Sequence, residues 1–115
     1  MEVRMSAEKV GYTETMQEAF ARIVAVDTPS ADDLKVLMFL EAAGKSAYAT
    51  MARGTTNDAV KRIFDQNGRE ELAHAVRVKR VIKLVHGEDV AVPSDAENPF
   101  CREAEAGEVR PVTKE

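Results

Sequence analysis

The stretch that decides the fold is Val60-Lys61-Arg62-Ile63-Phe64-Asp65-Gln66-Asn67-Gly68-Arg69-Glu70-Glu71-Leu72-Ala73-His74-Ala75-Val76-Arg77-Val78. At its centre sits Asn67-Gly68, a strong turn dipeptide. A turn there would split the segment in two. The phase across it argues for continuity. Val60, Phe64, Asn67, Glu71, His74, Val78, Val81 and Val85 advance by alternating steps of four and three. One helix keeps that register, whereas a turn resets it. The expected helix starts at the capping candidates Thr55, Thr56 and Asn57 and runs to His86, with Gly87 as its stop. Lys79, Arg80 and Lys83 suit its negative dipole end. The internal glycine costs about 1 kcal/mol relative to alanine.

Upstream, Asp27-Thr28-Pro29-Ser30 is a break that carries its own start signal. Either Thr28 caps with Pro29 in the first turn, or Ser30 caps with Asp33 three residues later. The helix that follows is expected to reach about Arg53, where Gly54 offers a stop. Leu34, Leu37, Glu41, Gly44, Tyr48 and Met51 form one stripe on it, again spaced by threes and fours. That spacing reads as the inward seam of a packed helix pair. Before the break, Met16, Phe20, Ile23 and Val24 lie at helical spacing. They give an amphipathic helix from about Thr13 to Val26. After Gly87 the pattern fades. Residues 88–115 hold Pro93, Pro99 and Pro111 among many acidic residues, and read as an extended or disordered tail that Phe100 and Cys101 would anchor if it docks.

Both seams contain residues that a dry core rejects. Glu41 sits among leucines, and Glu71 and His74 sit between Phe64 and Val78. A buried carboxylate is costly unless it is paired or binds a metal. The connection between the two helices is short, so they are expected to lie antiparallel. Counting from Thr55, both Glu41 and Glu71 fall roughly 21–24 Å from the loop at ~1.5 Å per residue. They are therefore expected to be level and face to face. His74 lies one turn beyond Glu71 on the same face. Glu70 points about 100° away from that face, toward the flank. One Glu opposite a Glu-x-x-His is half of a carboxylate-bridged di-metal site. Carboxylates bridge hard cations, and a neutral imidazole suits iron.

These residues carry a family resemblance. Glu41 and Tyr48, followed by Ile63-Phe64 and Glu71-Leu72-Ala73-His74, resemble the ferritin-like superfamily, in particular rubrerythrins and encapsulated ferritins. The resemblance covers about Leu34 to Gly87. It implies an all-α fold in which an antiparallel hairpin with an N-terminal helix completes a ferritin-like four-helix bundle by dimerisation. It implies Glu41, Glu71 and His74 as metal ligands and catalytic residues, with the same three from a second chain. The implied cofactor is iron, two ions per dimer, with manganese or zinc as other occupants of the same ligands. The implied activity is oxidation of Fe(II), as a ferroxidase or in peroxide scavenging. A homodimer or higher homo-oligomer follows, and the resemblance admits an encapsulating shell protein as a partner. The chain departs from the pattern beside Glu41, whose neighbours are Leu40, Ala42 and Ala43 rather than further acids. The end Val109-Arg110-Pro111-Val112-Thr113-Lys114-Glu115 does not look like an apolar shell-docking peptide.

Other features carry less. Tyr48 lies two turns from Glu41, and is either a core aromatic or a hydrogen-bond donor to a ligand carboxylate. His86 suits a helix C-terminus and has no site role. Cys101 is the single cysteine, which excludes an internal disulfide and an all-cysteine metal site. A reducing, cytoplasmic setting is the default for such a chain. Over 115 residues, 44% are hydrophobic and 31% charged, as in a soluble globular domain. Aromatics are only 5%, so an aliphatic helical core is favoured over a β-sandwich. Sixteen basic and twenty acidic residues give a net charge of −4, which argues against nucleic-acid or anionic-membrane binding. No apolar run is long enough to span a bilayer. Met1-Glu2-Val3-Arg4-Met5 is followed by no apolar core, so no export signal is expected. The expected organisation is an N-terminal helix and linker over 1–29, a ferritin-like hairpin over 30–87 and an acidic tail over 88–115. The competing reading is a helical dimerisation module in which Glu41, Glu71 and His74 form a buried polar network without turnover.

Overall fold

A computed structural model describes residues 15–103. Four helices, α1 (Met16–Ala25), α2 (Ala31–Arg53), α3 (Asp58–His86) and α4 (Pro99–Glu103), account for most of them, and there is no β-strand among the described residues. No described helix is long and apolar enough to cross a membrane.

Local chemistry sets the helix ends. Thr15 and Glu18 form a reciprocal capping box at the start of α1. The expected start at Thr13 lies outside the described residues. Of the two candidate starts for α2, Ser30 is used. Its hydroxyl accepts from the Asp33 backbone N–H at 3.1 Å, and the Asp33 carboxylate accepts from the Ser30 N–H at 3.0 Å. Gly54 ends α2, and Asn57 caps α3 by accepting from the Val60 N–H at 3.1 Å. The expected continuity of α3 holds through Asn67-Gly68 over 29 residues. Gly87 terminates it at φ 72°, a left-handed conformation that glycine adopts without penalty.

Helices α2 and α3 run antiparallel along their lengths. Near the loop, the rings of Tyr48 and Phe64 stand 6.1 Å apart. One turn on, Gly68 lies against Lys45 and Tyr48. At the far end Lys35 pairs with Glu88, just past α3, at 2.8 Å. Helix α1 packs Met16, Ala19 and Ile23 against the core, and Arg22 ties it to α2 through Asp33 at 2.8 Å.

The chain after Gly87 corrects the expected extended tail in favour of its alternative, docking through Phe100 and Cys101. Residues 88–103 fold back onto α2 rather than trailing away. Lys83 pairs with Asp89, and Lys79 donates to the Val90 carbonyl, so part of the basic cluster holds this strap down. Val90, Phe100 and Cys101 are buried. Asn98 is also fully buried and is satisfied on both sides. Its amide donates to the Phe39 carbonyl at 2.9 Å, and its carbonyl accepts from the Phe100 N–H at 3.1 Å. The rest of the tail lies outside the described residues.

The second correction concerns the seams. Helix α2 is covered on several sides at once, by α1, α3, α4 and the strap. Its deepest residues are Val36, Met38, Phe39, Leu40 and Ala43, facing the shared core. Of the expected stripe, Leu34 is buried, whereas Leu37, Glu41, Gly44, Tyr48 and Met51 are only half-buried. On α3 the buried positions are Gly68, Ala75 and Ile82, while Val60, Phe64, Asn67, Glu71 and Val78 are half-buried and His74, Val81 and Val85 exposed. The polar seams thus lie along one open edge of the hairpin, because the strap supplies the apolar cover elsewhere.

Candidate metal centre

Each member of the cluster is held by a helix interior, where the backbone is already satisfied and the side-chain direction is fixed by the turn below it. Glu41 projects from the middle of α2. Glu71 and His74 project from α3 three residues apart, which places them on one face. The antiparallel packing then brings all three together. His74 Nδ1 donates to Glu41 Oε2 at 2.9 Å and lies 3.3 Å from Glu71 Oε1. One nitrogen thus faces both carboxylates.

The register differs from the expected one by a turn. Glu41 stands across from His74, and Glu71 stands across from Gly44, whose missing side chain receives the carboxylate. Distance from the loop is not what sets the pairing. Glu71 fills the space that Gly44 leaves open, and this contact fixes the level.

The cluster sits at the edge of the core rather than within it. The side chains of Glu41, Glu71 and His74 are 19%, 27% and 46% exposed. That burial is enough to matter electrostatically. Loss of hydration pushes the Glu71 carboxyl above the ordinary carboxylate range, and the neighbouring Glu41 charge pushes it further. His74 opposes both effects without cancelling them.

Three oxygen or nitrogen donor atoms, one from each residue, all lie within 4.8 Å of one another. Two hard oxygens and one imidazole nitrogen are the donor types that iron, manganese and zinc accept. The apo arrangement also carries a deficit that a cation would remove, namely two partly dehydrated carboxylates sharing one imidazole. The residues present therefore fit a divalent metal.

The remaining candidates separate from the cluster. Within the chain Tyr48 packs on Phe64 and makes no hydrogen bond to either carboxylate. Glu70 is exposed and accepts from the Gln66 amide at 3.4 Å, pointing off the seam as expected. Cys101 is buried next to Ser46, 3.4 Å from its hydroxyl, among residues that anchor the strap. His86 is exposed at the end of α3. Sequence reasoning assigns no role to Gly44, since a glycine in a stripe shows no chemistry until its neighbour across the seam is known. Comparison with protein-family models, with curated proteins and with solved structures finds no match.

Proposed function

We propose that this chain is one half of a ferritin-like di-metal carboxylate protein that oxidises Fe(II). The observation that carries this reading is the convergence of Glu41, Glu71 and His74 donor atoms within 4.8 Å, across two helices. Two chains related by a two-fold axis would supply the set twice, which is the complement of a four-helix di-metal site. The position of the cluster supports a second chain. It lies on the open edge of the hairpin, where Ile63, Val81 and Val85 are exposed at 57%, 41% and 66%. These residues share a stripe with His74, at intervals built from steps of four and seven residues along α3.

In this reading Glu41 and Glu71 hold the cations, and His74 binds through Nδ1, the nitrogen already turned toward both carboxylates. Iron bound there supplies one-electron redox chemistry. With peroxide as oxidant, a pair of Fe(II) ions held by Glu41, Glu71 and His74 of each chain would supply the two electrons that, with two protons, convert peroxide to two waters. With oxygen as oxidant the protein is a ferroxidase. The helices fix donor spacing and leave coordination positions open for the oxidant. Manganese or zinc would bind the same ligands without that turnover. Docking within an encapsulating shell belongs to the same reading and rests on the resemblance alone.

The test is metal analysis of purified protein, followed by rapid mixing of the apo-protein with Fe(II) and oxygen or peroxide. Two ions per dimer and oxidation faster than in buffer are expected, with metal content reduced and the oxidation lost in Glu71→Ala. Unchanged metal content in that variant would sink the assignment. A second reading is favoured by one specific observation. His74 already hydrogen-bonds to Glu41 and lies 3.3 Å from Glu71 in the chain alone. A helical dimerisation module whose Glu/His network sets register would look the same. It predicts a dimer with no bound metal and no oxidation above buffer.

A further inference from the structure

We infer that Gly44 is the positioning residue of the Glu41–Glu71–His74 centre, its missing side chain holding the Glu71 carboxylate where a divalent cation can use it. The inference rests on the metal reading above and extends it to a residue that offers no ligand atom.

Gly44 lies in the interior of α2, on the side facing α3. Its backbone gives no reason for a glycine there. The only described residue with positive φ is Gly87. A glycine within a helix costs about 1 kcal/mol relative to alanine, so its value must lie in space. A β-carbon built on Gly44 would stand 2.3 Å from Glu71 Oε2 and 3.0 Å from both Glu71 Cδ and Cγ. The first distance is far inside any van der Waals contact. Gly68, on the facing helix, is the internal comparison. A β-carbon there would meet Lys45 O and Tyr48 Cβ at 3.5 Å, an ordinary contact. Two glycines therefore share one seam, and one of them is filled by the candidate ligand.

The obstructed group is the free end of a side chain, not backbone. Alanine at position 44 thus leaves the helix pair able to form. The carboxylate has to retreat by roughly 1 Å to regain contact distance. Retreat from α2 carries Glu71 away from its present place beside His74 Nδ1, 3.3 Å distant, and beside Glu41. Two ligands remain and the third is misplaced.

The experiment titrates Zn(II) into the full-length chain by calorimetry and compares Gly44→Ala, Gly68→Ala, Glu71→Ala and the double variant Gly44→Ala/Glu71→Ala. Gly44→Ala is expected to weaken Zn(II) binding by about 10–100-fold, the range for residues that orient a ligand. Gly68→Ala is expected to leave it unchanged. Once Glu71 is truncated, Gly44→Ala should have no further effect, because its action passes through that carboxylate. Equal affinity in the unsubstituted chain and Gly44→Ala overturns the inference, and so does the same loss with and without Glu71. A second readout needs no metal. The imidazole NMR signals of His74 should shift in Gly44→Ala and not in Gly68→Ala, and identical signals in both overturn the inference. Absence of Zn(II) binding by the unsubstituted chain overturns the metal reading itself, and is thereby distinguished from failure at Gly44 alone.

Discussion

His74 Nδ1 and Glu41 Oε2 meet 2.9 Å apart across the α2–α3 seam, although thirty-three positions separate the two residues in the chain. This bond makes His74 the hinge of the cluster, since the same nitrogen also faces Glu71. Removing the imidazole leaves two carboxylates facing each other without an opposing donor. His74→Ala is expected to lower apo stability by about 1 kcal/mol, a modest figure because the ring is half exposed. Metal affinity should fall further, through loss of a ligand. In the unsubstituted chain, metal affinity should rise with pH through the acidic range and binding there should release protons, since the Glu71 carboxyl, whose pKa is raised by lost hydration and by Glu41, must be deprotonated to ligate. Calorimetry in buffers of differing ionisation enthalpy measures that release directly. Zero proton release at acidic pH would contradict ligation through the Glu71 carboxylate.

Glu71 gives a prediction of opposite sign to the usual carboxylate. Its pKa in the fold is raised, by loss of hydration first and then by Glu41. The unfolded chain therefore ionises at lower pH than the folded one. Below the ordinary carboxylate range both states are protonated and Glu71 has no effect. As pH rises through that range and through the raised folded value, the folded state loses stability relative to the unfolded one. Glu71→Gln is thus expected to stabilise the metal-free protein at neutral pH and to weaken metal binding. The gain stays under about 1 kcal/mol, because water still reaches the carboxylate. Urea unfolding of both chains at acidic and neutral pH checks it, and a less stable Glu71→Gln at neutral pH would contradict the electrostatic account.

Much of this centre is legible in the sequence, because helical periodicity projects distant residues onto one face. The register of Val60, Phe64, Asn67, Glu71 and His74 carries α3 through Asn67-Gly68. The polar residues on the two seams point to each other. What periodicity does not give is the level at which two helices pair, since a whole-turn shift preserves the pattern. That level depends on which side chain lies opposite Gly44. The strap is illegible for another reason. Prolines and acids between Val90 and Glu115 resemble a solvated tail, and the residues that dock it are few. Asn98 makes its decisive bond to the Phe39 carbonyl, fifty-nine positions away. A lone asparagine carries no sequence signal of that kind. Reading the strap as a tail also misplaces the core, because α2 then has only one face to cover.

Asp33 behaves in the ordinary direction. It completes the capping box of α2 and binds Arg22 of α1. The Ser30 N–H it accepts is the leading cause that holds its carboxyl below the ordinary range, with Arg22 contributing and burial opposing. Its stabilisation is fully present above the unfolded carboxylate range and is lost as pH falls through the lower folded value. Asp33→Ala is expected to cost about 1–2 kcal/mol at neutral pH, from the cap and the link between helices. The difference from the unsubstituted chain should shrink on acidification. Parallel denaturant curves from neutral to strongly acidic pH would show it, and a difference independent of pH would rule out the ionic part.

Gly68 offers a gain. It is helical and buried, and the space beside it admits a β-carbon at 3.5 Å from its neighbours. Gly68→Ala is expected to stabilise the protein by up to about 1 kcal/mol through helix propensity. A higher thermal midpoint with unchanged metal content is the expected result. Destabilisation would mean that α2 and α3 approach more closely at this point than the 3.5 Å contact allows.

The exposed stripe on α3 tests the proposed second chain. Ile63, Val81 and Val85 place apolar surface on the same flank as His74. Scattered apolar residues are common on protein surfaces, but a stripe built from four- and seven-residue steps beside a half-buried ligand set matches a helix-packing face. Val81→Glu with Val85→Glu would set like charges against each other across a two-fold axis, where each substitution appears twice. Sedimentation of the unsubstituted chain is expected to give a dimer, and of the double variant a monomer with the same helical content. The three candidate ligands stay intact within each chain, so a monomer would retain at most one weakly held ion per chain. Fe(II) oxidation, which needs two ions at one centre, should fall with the dimer. A variant that dissociates and still oxidises Fe(II) at the original rate would separate the chemistry from the interface and refute the shared site.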